Sequence, residues 1–342
     1  MEKAVEARTK ESHKRLPSVS VVIPAFNSEK TIGQTIESLK NMDYPQERLE
    51  IIVVDDVSDD KTAEVALGYG VKVVRREKRG GCAGAKNTGV DHATNEIIAF
   101  IDSNVVTDKN WLKELVKPFE DPAVGATGGF IETRFRGNSA LGKYEDYDSH
   151  YRKRKASTGS VPGSNSAYRR EVFEVVGKLD PYLGEDPDFC YRVLSHGYKA
   201  VFNEKAVVHH PQYNDILTYL RKQVYYGWQR TLIFLLRPQS RGVLLTDEHT
   251  SWNILLQPFV LGVMILSLLL VPVFGGFAVV SLFLFLLFMM LNVPFLRFLY
   301  AKEARLLFFG LFLAIPRAFA YILGLAWGII SFMKVKATGK GG

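Results

Sequence analysis

Two cysteines, Cys82 and Cys190, are all that the 342 residues contain. That is too few for a disulfide framework or a cysteine-rich zinc site, and it fits a reduced compartment. The stretch from Glu2 to Arg15 is polar and charged, so no secretory leader is expected there. No pattern of a nucleic-acid-binding module occurs, and nucleic acid is not an expected partner. Low-complexity tracts and internal repeats are absent too. With 47% hydrophobic and 23% charged residues, the chain is neither disordered nor fibrous.

The most informative absence is one of charge. From Thr250 to Leu296, 47 consecutive residues contain no Asp, Glu, Lys, Arg or His. As helix they would reach about 70 Å, against a bilayer hydrocarbon core of about 30 Å. Two crossings absorb that length, and Gly275-Gly276 provides a turn near the middle. The pattern predicts a helical hairpin over 254–274 and 277–296. The alternative, a buried helix pair in a soluble core, would normally retain a charged face. A third apolar segment, about 306–333, is interrupted by Pro316-Arg317. It spans as one helix, or enters and returns as two pieces. An Arg at that depth needs a phosphate headgroup or a protein partner. The loop residues Arg297, Lys302 and Arg305 and the tail residues Lys334, Lys336 and Lys340 both favour the cytoplasmic side. A third full crossing would separate them, so the crossing number stays open.

What is present elsewhere is strand–helix alternation. The apolar runs Val19–Ile23, Ile51–Val54, Val71–Val74 and Ile97–Ile101 are separated by helical patterns such as Lys30–Lys40 and Lys61–Gly68. This predicts an α/β layer with a mostly parallel sheet. The expected division is an arm over 1–17, an α/β domain over 18–235, a linker or interfacial segment over 236–253, membrane helices over 254–333 and a basic tail over 334–342. The net charge of +7 suits an anionic membrane surface or a phosphorylated substrate.

Ligands of open α/β sheets bind beyond the carboxyl ends of the strands. Here the first strand ends in Pro24-Ala25-Phe26-Asn27, with Glu29 just after; the second ends in Asp55-Asp56; the Ile97 strand ends in Asp102-Ser103-Asn104. A single Asp at a strand end is usually a helix cap. Three polar ends on one edge instead offer acceptors for ribose hydroxyls and ligands for a divalent cation. The loop Arg79-Gly80-Gly81-Cys82-Ala83-Gly84-Ala85-Lys86-Asn87 allows close backbone approach. It has neither dinucleotide-fingerprint nor Walker spacing. Further on come Gly163-Ser164-Asn165, Glu185-Asp186 and His209-His210.

In this order and spacing the motifs over about 18–235 resemble family 2 glycosyltransferases of the GT-A fold, and the appended apolar helices resemble that family's integral-membrane branch. The resemblance implies a Rossmann-like, mostly parallel sheet with flanking helices, followed by an α-helical transmembrane region. It implies inverting transfer of a sugar from a nucleotide-sugar donor to a hydroxyl of a lipid or lipid-linked saccharide, with the catalytic domain on the cytoplasmic face. Pro24, Ala25, Asn27, Glu29, Asp55, Asp56, Lys86, Asp102 and Ser103 would then bind the donor. Asp186 would be the general base, with Glu185 beside it. Asp102, Asn104 and one of His209 and His210 would hold Mg²⁺ or Mn²⁺. Gly163, Ser164, Asn165 and Trp228 stand as candidate acceptor contacts. For Trp228, with Tyr225 and Tyr226, an aromatic belt at the membrane surface is an equal reading.

Two departures bear on this. Position 104 is Asn where the family has a metal-binding Asp, which weakens a cation site or permits turnover without metal. The segment Gln223-Val-Tyr-Tyr-Gly-Trp228-Gln-Arg230 does not match the Gln-x-x-Arg-Trp motif of processive members. Two alternatives remain beside a hydroxyl-directed transferase. One is a polyprenyl-phosphate sugar synthase, whose anionic acceptor needs no base. The other is a non-catalytic nucleotide-binding membrane subunit, for which Asn104 is the support.

Overall fold

The fold is that of a computed structural model, which describes residues 16–134, 139–153, 161–181, 183, 185–211, 215–238 and 252–338. The chain divides into two compact units. One comprises residues 1–132 and 158–211, the other 133–157 and 212–342.

The first unit is built on an eight-stranded sheet of order β3-β2-β1-β4-β7-β6-β8-β5. β1 (Val19–Ala25), β2 (Leu49–Asp55), β3 (Lys72–Arg75) and β4 (Ile97–Ile101) run parallel. Each enters as a run of β-branched and apolar residues, and β1 and β4 are buried along their whole length. That is the pattern of strands covered on both faces. Side chains alternate between two cores: Val19, Val21 and Ile23 pack into one and Val22 into the other. β5 (Val106–Thr107), β6 (Val124–Arg134), β7 (Asn165–Arg169) and β8 (Lys199–Pro211) extend the sheet with antiparallel pairing of β4 to β7, β6 to β7 and β5 to β8.

Helices cover the layer. α1 (Ile32–Lys40) buries Ile32, Thr35, Ile36 and Leu39, one face of a 3.6-residue period. α2 (Thr62–Gly68) follows β2. α3 (Gly81–His92) is rich in small residues for a packing reason: a Cβ at Gly89 would lie 2.2 Å from Val22 Cγ1. α4 (Trp111–Val116), α6 (Arg170–Val176) and α7 (Glu185–Ser195) complete the first unit.

The second unit is helical: α5 (Ala140–Lys153), α8 (Ile216–Leu236), α9 (Trp252–Leu270), α10 (Phe277–Lys302) and α11 (Leu306–Thr338). α5 and α8 fall inside the expected 18–235 domain yet pack with the C-terminal helices. Tyr144 of α5 stacks edge-on to Tyr219 of α8 and to Phe295 of α10. α8 and α11 approach at glycines: a Cβ at Gly324 would meet Val224 O at 2.1 Å, and one at Gly227 would meet Tyr321 O at 2.5 Å.

The hairpin takes the form of α9 and α10. α10 and the stretch Leu306–Ala337 of α11 are long and apolar enough to cross a membrane. α11 continues through Pro316 as one helix of 33 residues. Arg317 has its partners in the protein. Its Nη1 donates to Tyr144 Oη (3.1 Å) and lies 3.6 Å from Asp148 Oδ1, and its Nη2 donates to Gln257 Oε1 (2.9 Å). The arm up to residue 15, most of the 236–253 segment (239–251) and the end of the tail (339–342) lie outside the described residues.

Candidate active site

The parallel strands β1, β2 and β4 end at one edge, where Ala25 is in register with Asp55. A cavity of about 330 Å³ opens there, within the size range of small-molecule sites. Pro24, Ala25 and Phe26 line it from β1, Asp56 from β2, Asp102, Ser103 and Asn104 from β4, and Arg79, Gly81, Cys82 and Ala85 from the start of α3. Three separate strand ends therefore converge, as their polar residues predicted.

The surrounding loops are fixed by hydrogen bonds between the first two ends. Asn27 N donates to Ser58 Oγ (3.0 Å), Asp59 N to Asn27 Oδ1 (2.9 Å) and Lys61 N to Glu29 Oε2 (3.2 Å). Glu29 N donates in turn to Asp60 Oδ2 (3.1 Å). Burial would raise the Asp60 carboxyl, but hydrogen bonds from the Thr62 hydroxyl and from the Glu29 and Thr62 amides outweigh it and hold the group below its usual range. Two non-glycine residues adopt positive φ here, Asn27 (49°) and Val57 (66°). For a β-branched residue this is strained backbone, and it sits beside the cavity-lining Asp56.

The two aspartates of β2 differ in surroundings. Asp55 is fully buried; its Oδ1 accepts from Ser58 N (3.1 Å), and Arg75 Nε lies 3.4 Å from its Oδ2. Asp56 accepts from the amides of Gly80 (2.9 Å) and Gly81 (2.8 Å), with Arg76 Nη1 3.4 Å away. Asp56 thus ties the end of β2 to the first turn of α3. The Arg76 guanidinium fills the space that a side chain at Gly80 or Gly84 would need.

On β4, Ser103 Oγ bonds to Ser28 Oγ (2.7 Å), and Ser103 O accepts from Thr35 Oγ1 (3.0 Å). Asn104 Oδ1 is buried without a hydrogen-bond partner. Asp102 remains partly open, with His210 Nε2 3.9 Å from its Oδ2. His209, its neighbour on β8, lies between two other carboxylates: Nε2 is 2.7 Å from Asp108 Oδ1, and Nδ1 is 3.0 Å from Glu132 Oε2. Adjacent strand residues face opposite ways, which separates the two histidines that the sequence left equivalent. Among the described residues no three His, Cys, Asp or Glu side chains converge as a ligand set.

Several expected site residues do not line the cavity. Lys86 is buried, with Nζ donating to Gly163 O (2.9 Å) and lying over the Phe100 ring. Asn165 is a buried junction: it accepts from Trp111 Nε1 (2.8 Å) and donates to Phe130 O and Ala206 O (both 2.9 Å). Ser164 is half-buried in the turn before β7. Trp228 belongs to the second unit, where it donates to Ser331 Oγ (3.0 Å) and stacks on Trp327. Glu185 and Asp186 form the first turn of α7, and their side chains lie outside what the structure describes.

Phe26 falls inside the Pro24–Asn27 segment expected at the site, whereas Arg79 was not among the expected site residues. The Arg79 guanidinium lies 3.7 Å from the Phe26 ring centroid at the cavity wall. Both stand inside motifs legible in the sequence, but only the fold stacks one on the other.

Against known proteins, the sequence profile of Glycosyl transferase family 2 matches residues 20–177. Glycosyltransferase AglE of Haloferax volcanii is 28% identical over 205 residues, 57% of this chain and 67% of that protein. Beta-monoglucosyldiacylglycerol synthase of Synechocystis sp. is 27% identical over 199 residues, 54% of this chain and 42% of that protein. The chain thus spans two-thirds of one relative and under half of the other. Among solved structures, the mannosyltransferase PcManGT from Pyrobaculum calidifontis, in complex with GDP-Man and Mn²⁺, superposes with a TM-score of 0.60 at 19% identity, covering 94% of this chain and 88% of that one. At that identity the likeness concerns the fold.

Proposed function

We propose, starting from a chain that carries a glycosyl transferase family 2 domain, that it moves a sugar from a nucleotide-sugar to a hydroxyl of a lipid or lipid-linked saccharide, with inversion. The observation that carries this reading is the convergence of three strand ends, Pro24–Phe26, Asp56 and Asp102–Asn104, on one cavity. Pro24, Ala25 and Phe26 offer an apolar wall for the nucleoside, and Asp102 and Ser103 face the diphosphate side. Asp56 lines the cavity while holding the Gly80-Gly81 backbone, and Asp55 acts from behind, holding the Ser58 backbone in place.

In the transfer, the acceptor oxygen attacks the anomeric carbon as the carbon–oxygen bond to the diphosphate breaks. The hydroxyl proton passes to the Asp186 carboxylate, and the nucleoside diphosphate leaves with the bond's electron pair. A hydroxyl is a weak nucleophile, so this proton transfer is needed in the transition state. Positioning of donor and acceptor supplies much of the remainder.

The residues present fit a divalent cation. The buried, unpartnered Asn104 Oδ1 is a hard oxygen ligand beside the Asp102 carboxylate, and His210 faces Asp102 while His209 is held by Asp108 and Glu132. Asp102, Asn104 and His210 would hold the ion. When bound, it offsets the charge of the leaving diphosphate. The solved mannosyltransferase of this fold was captured with Mn²⁺ and GDP-Man. The lipid acceptor draws on the apolar helices and on the glycolipid in the name of the Synechocystis relative. In this reading the same helices anchor the protein in a membrane and its sheet domain lies in the cytoplasm, which the basic residues Arg297, Lys302 and Arg305 support.

The test is thermal unfolding in detergent with UDP, GDP, CMP, dTDP and their sugar conjugates, each with Mn²⁺, Mg²⁺ or EDTA. A metal-dependent stabilisation by one nucleotide identifies the donor; stabilisation by none defeats the reading. With that donor, Asp186→Asn should abolish transfer to hydroxyl acceptors. An unchanged rate would make the acceptor a phosphate, which needs no base.

A further inference from the structure

We infer that Asp108, His209 and Glu132 form a clamp that positions His210, and so decides which of two adjacent histidines is presented to the cation. This rests on the cation reading above and deepens it, by giving a role to three side chains that the transfer itself does not use.

Two neighbouring imidazoles offer a cation the same donor atoms, so chemistry alone does not choose between His209 and His210. Strand geometry must choose: consecutive side chains face opposite sides, and a shift of one residue exchanges them. Upstream, packing sets the register of β8. Ala206 and Val208 are buried in the core that also holds Ile97, Ala99 and Ile101. A one-residue shift would turn exposed Lys205 toward that core in place of Ala206. By the period of two, His210 continues the row of Ala206 and Val208, and His209 lies on the other face. The apolar row, however, ends at Val208, and Pro211 closes the strand.

The backbone has little hold on those last residues. β5 consists of Val106 and Thr107 alone, paired with His209 and Val208. One further amide, Asp108 N, donates to Val207 O (3.2 Å). A two-residue ladder is shorter than ordinary strands and specifies register weakly.

Side chains add the rest. His209 is only 9% exposed, although the carboxylates of Asp108 and Glu132 beside it are about half exposed. Its Nε2 lies 2.7 Å from Asp108 Oδ1, just past β5. Its Nδ1 is 3.0 Å from Glu132 Oε2 on β6, a charge contact without hydrogen-bond alignment. Both ring nitrogens are thus engaged on one face of β8, by carboxylates from two other strands. His209 cannot turn toward Asp102 without giving up both. Asp108 also ends the short segment that begins with the candidate ligands Asp102 and Asn104. The clamp therefore fastens that segment to β8, 101 positions away in sequence, and leaves His210 Nε2 3.9 Å from Asp102 Oδ2.

The test titrates Mn²⁺ by EPR into the full chain in detergent, with UDP, GDP, CMP or dTDP present. Spin-echo modulation from a bound imidazole nitrogen then identifies the histidine. Wild type should show one coupled imidazole, and His210→Ala should remove it. His209→Ala and Asp108→Asn should keep it but raise the Mn²⁺ dissociation constant roughly tenfold, the lower end of what residues supporting a metal ligand are worth. Asp108 is half exposed, so Asp108→Asn carries the test if His209→Ala does not fold. Unchanged Mn²⁺ affinity in the folded variants, even with a lowered Tm, makes the clamp a structural contact only and overturns the inference. An imidazole signal that survives His210→Ala and disappears in His209→Ala makes His209 the ligand and overturns it too. A wild-type chain that binds no Mn²⁺ overturns the cation reading and the inference with it, a failure distinct from the other two.

Discussion

The two units handle buried polar groups in opposite ways. At the strand ends of the first, carboxylates are held largely by backbone amides: Asp56 by Gly80 and Gly81, Asp55 by Ser58, Asp60 by Glu29 and Thr62. Side-chain atoms remain for a ligand, among them the buried Asn104 Oδ1 and the partly open Asp102. In the helical unit the charges are consumed by one another. Arg317 is shared among Asp148, Tyr144 and Gln257, and Lys143 is paired with Glu303. Amides of a rigid backbone hold a site without occupying its outward face. Side-chain pairs close on themselves and serve as fasteners between helices.

Substitutions should therefore fail differently in the two places. The largest effect is expected from Asp102→Ala. Removing a preorganised charged group at the leaving diphosphate should lower the transfer rate roughly 10²–10³-fold. The detergent melting temperature should stay near wild type, because Asp102 is partly open and Ser103 holds the loop through Ser28 and Thr35. A large loss of Tm would break the contrast. Arg317→Leu should do the reverse, removing one partner of a buried ion pair and two hydrogen bonds at a cost of up to about 3–5 kcal/mol, read as a fall in Tm. A smaller loss, about 1–3 kcal/mol by overpacking, is expected for Gly324→Ala, whose Cβ has only the backbone of α8 to meet.

The same contrast explains what could be read from the sequence. The parallel strands announce themselves as β-branched runs ending in polar residues, because local pattern and burial agree there. The antiparallel extension through β6, β7 and β8 was not legible. Gly128 and Gly129 interrupt β6 where Pro162, Val161 and Ala206 press against it, so the strand lacks an apolar run of its own. The edge that forms the cavity was legible for the same reason as the strands. The hydrogen bonds that Lys86 and Asn165 make within the fold were not, because a Lys or Asn in a motif looks alike whether or not it also donates to Gly163 O or Phe130 O. The placement of α5 and α8 was hidden too, since it depends on glycines and aromatics meeting across long sequence separations.

The smallest effect sharpens the comparison at its amide-held end. Asp60 accepts from Glu29 N and Thr62 N and from the Thr62 hydroxyl, and its carboxyl is held below the usual range. A carboxyl lowered by folding adds stability that is complete above its unfolded value, near 3.9, and is lost as pH falls through the folded value. Asp60→Asn removes the charge at every pH. Wild type should therefore melt higher than this variant by a few degrees at most at neutral pH, with the gap narrowing below about pH 4. A gap independent of pH would mean that the amides respond to the shape of the side chain and not to its charge. The distinction drawn between amide-held carboxylates and paired charges would then rest on geometry alone.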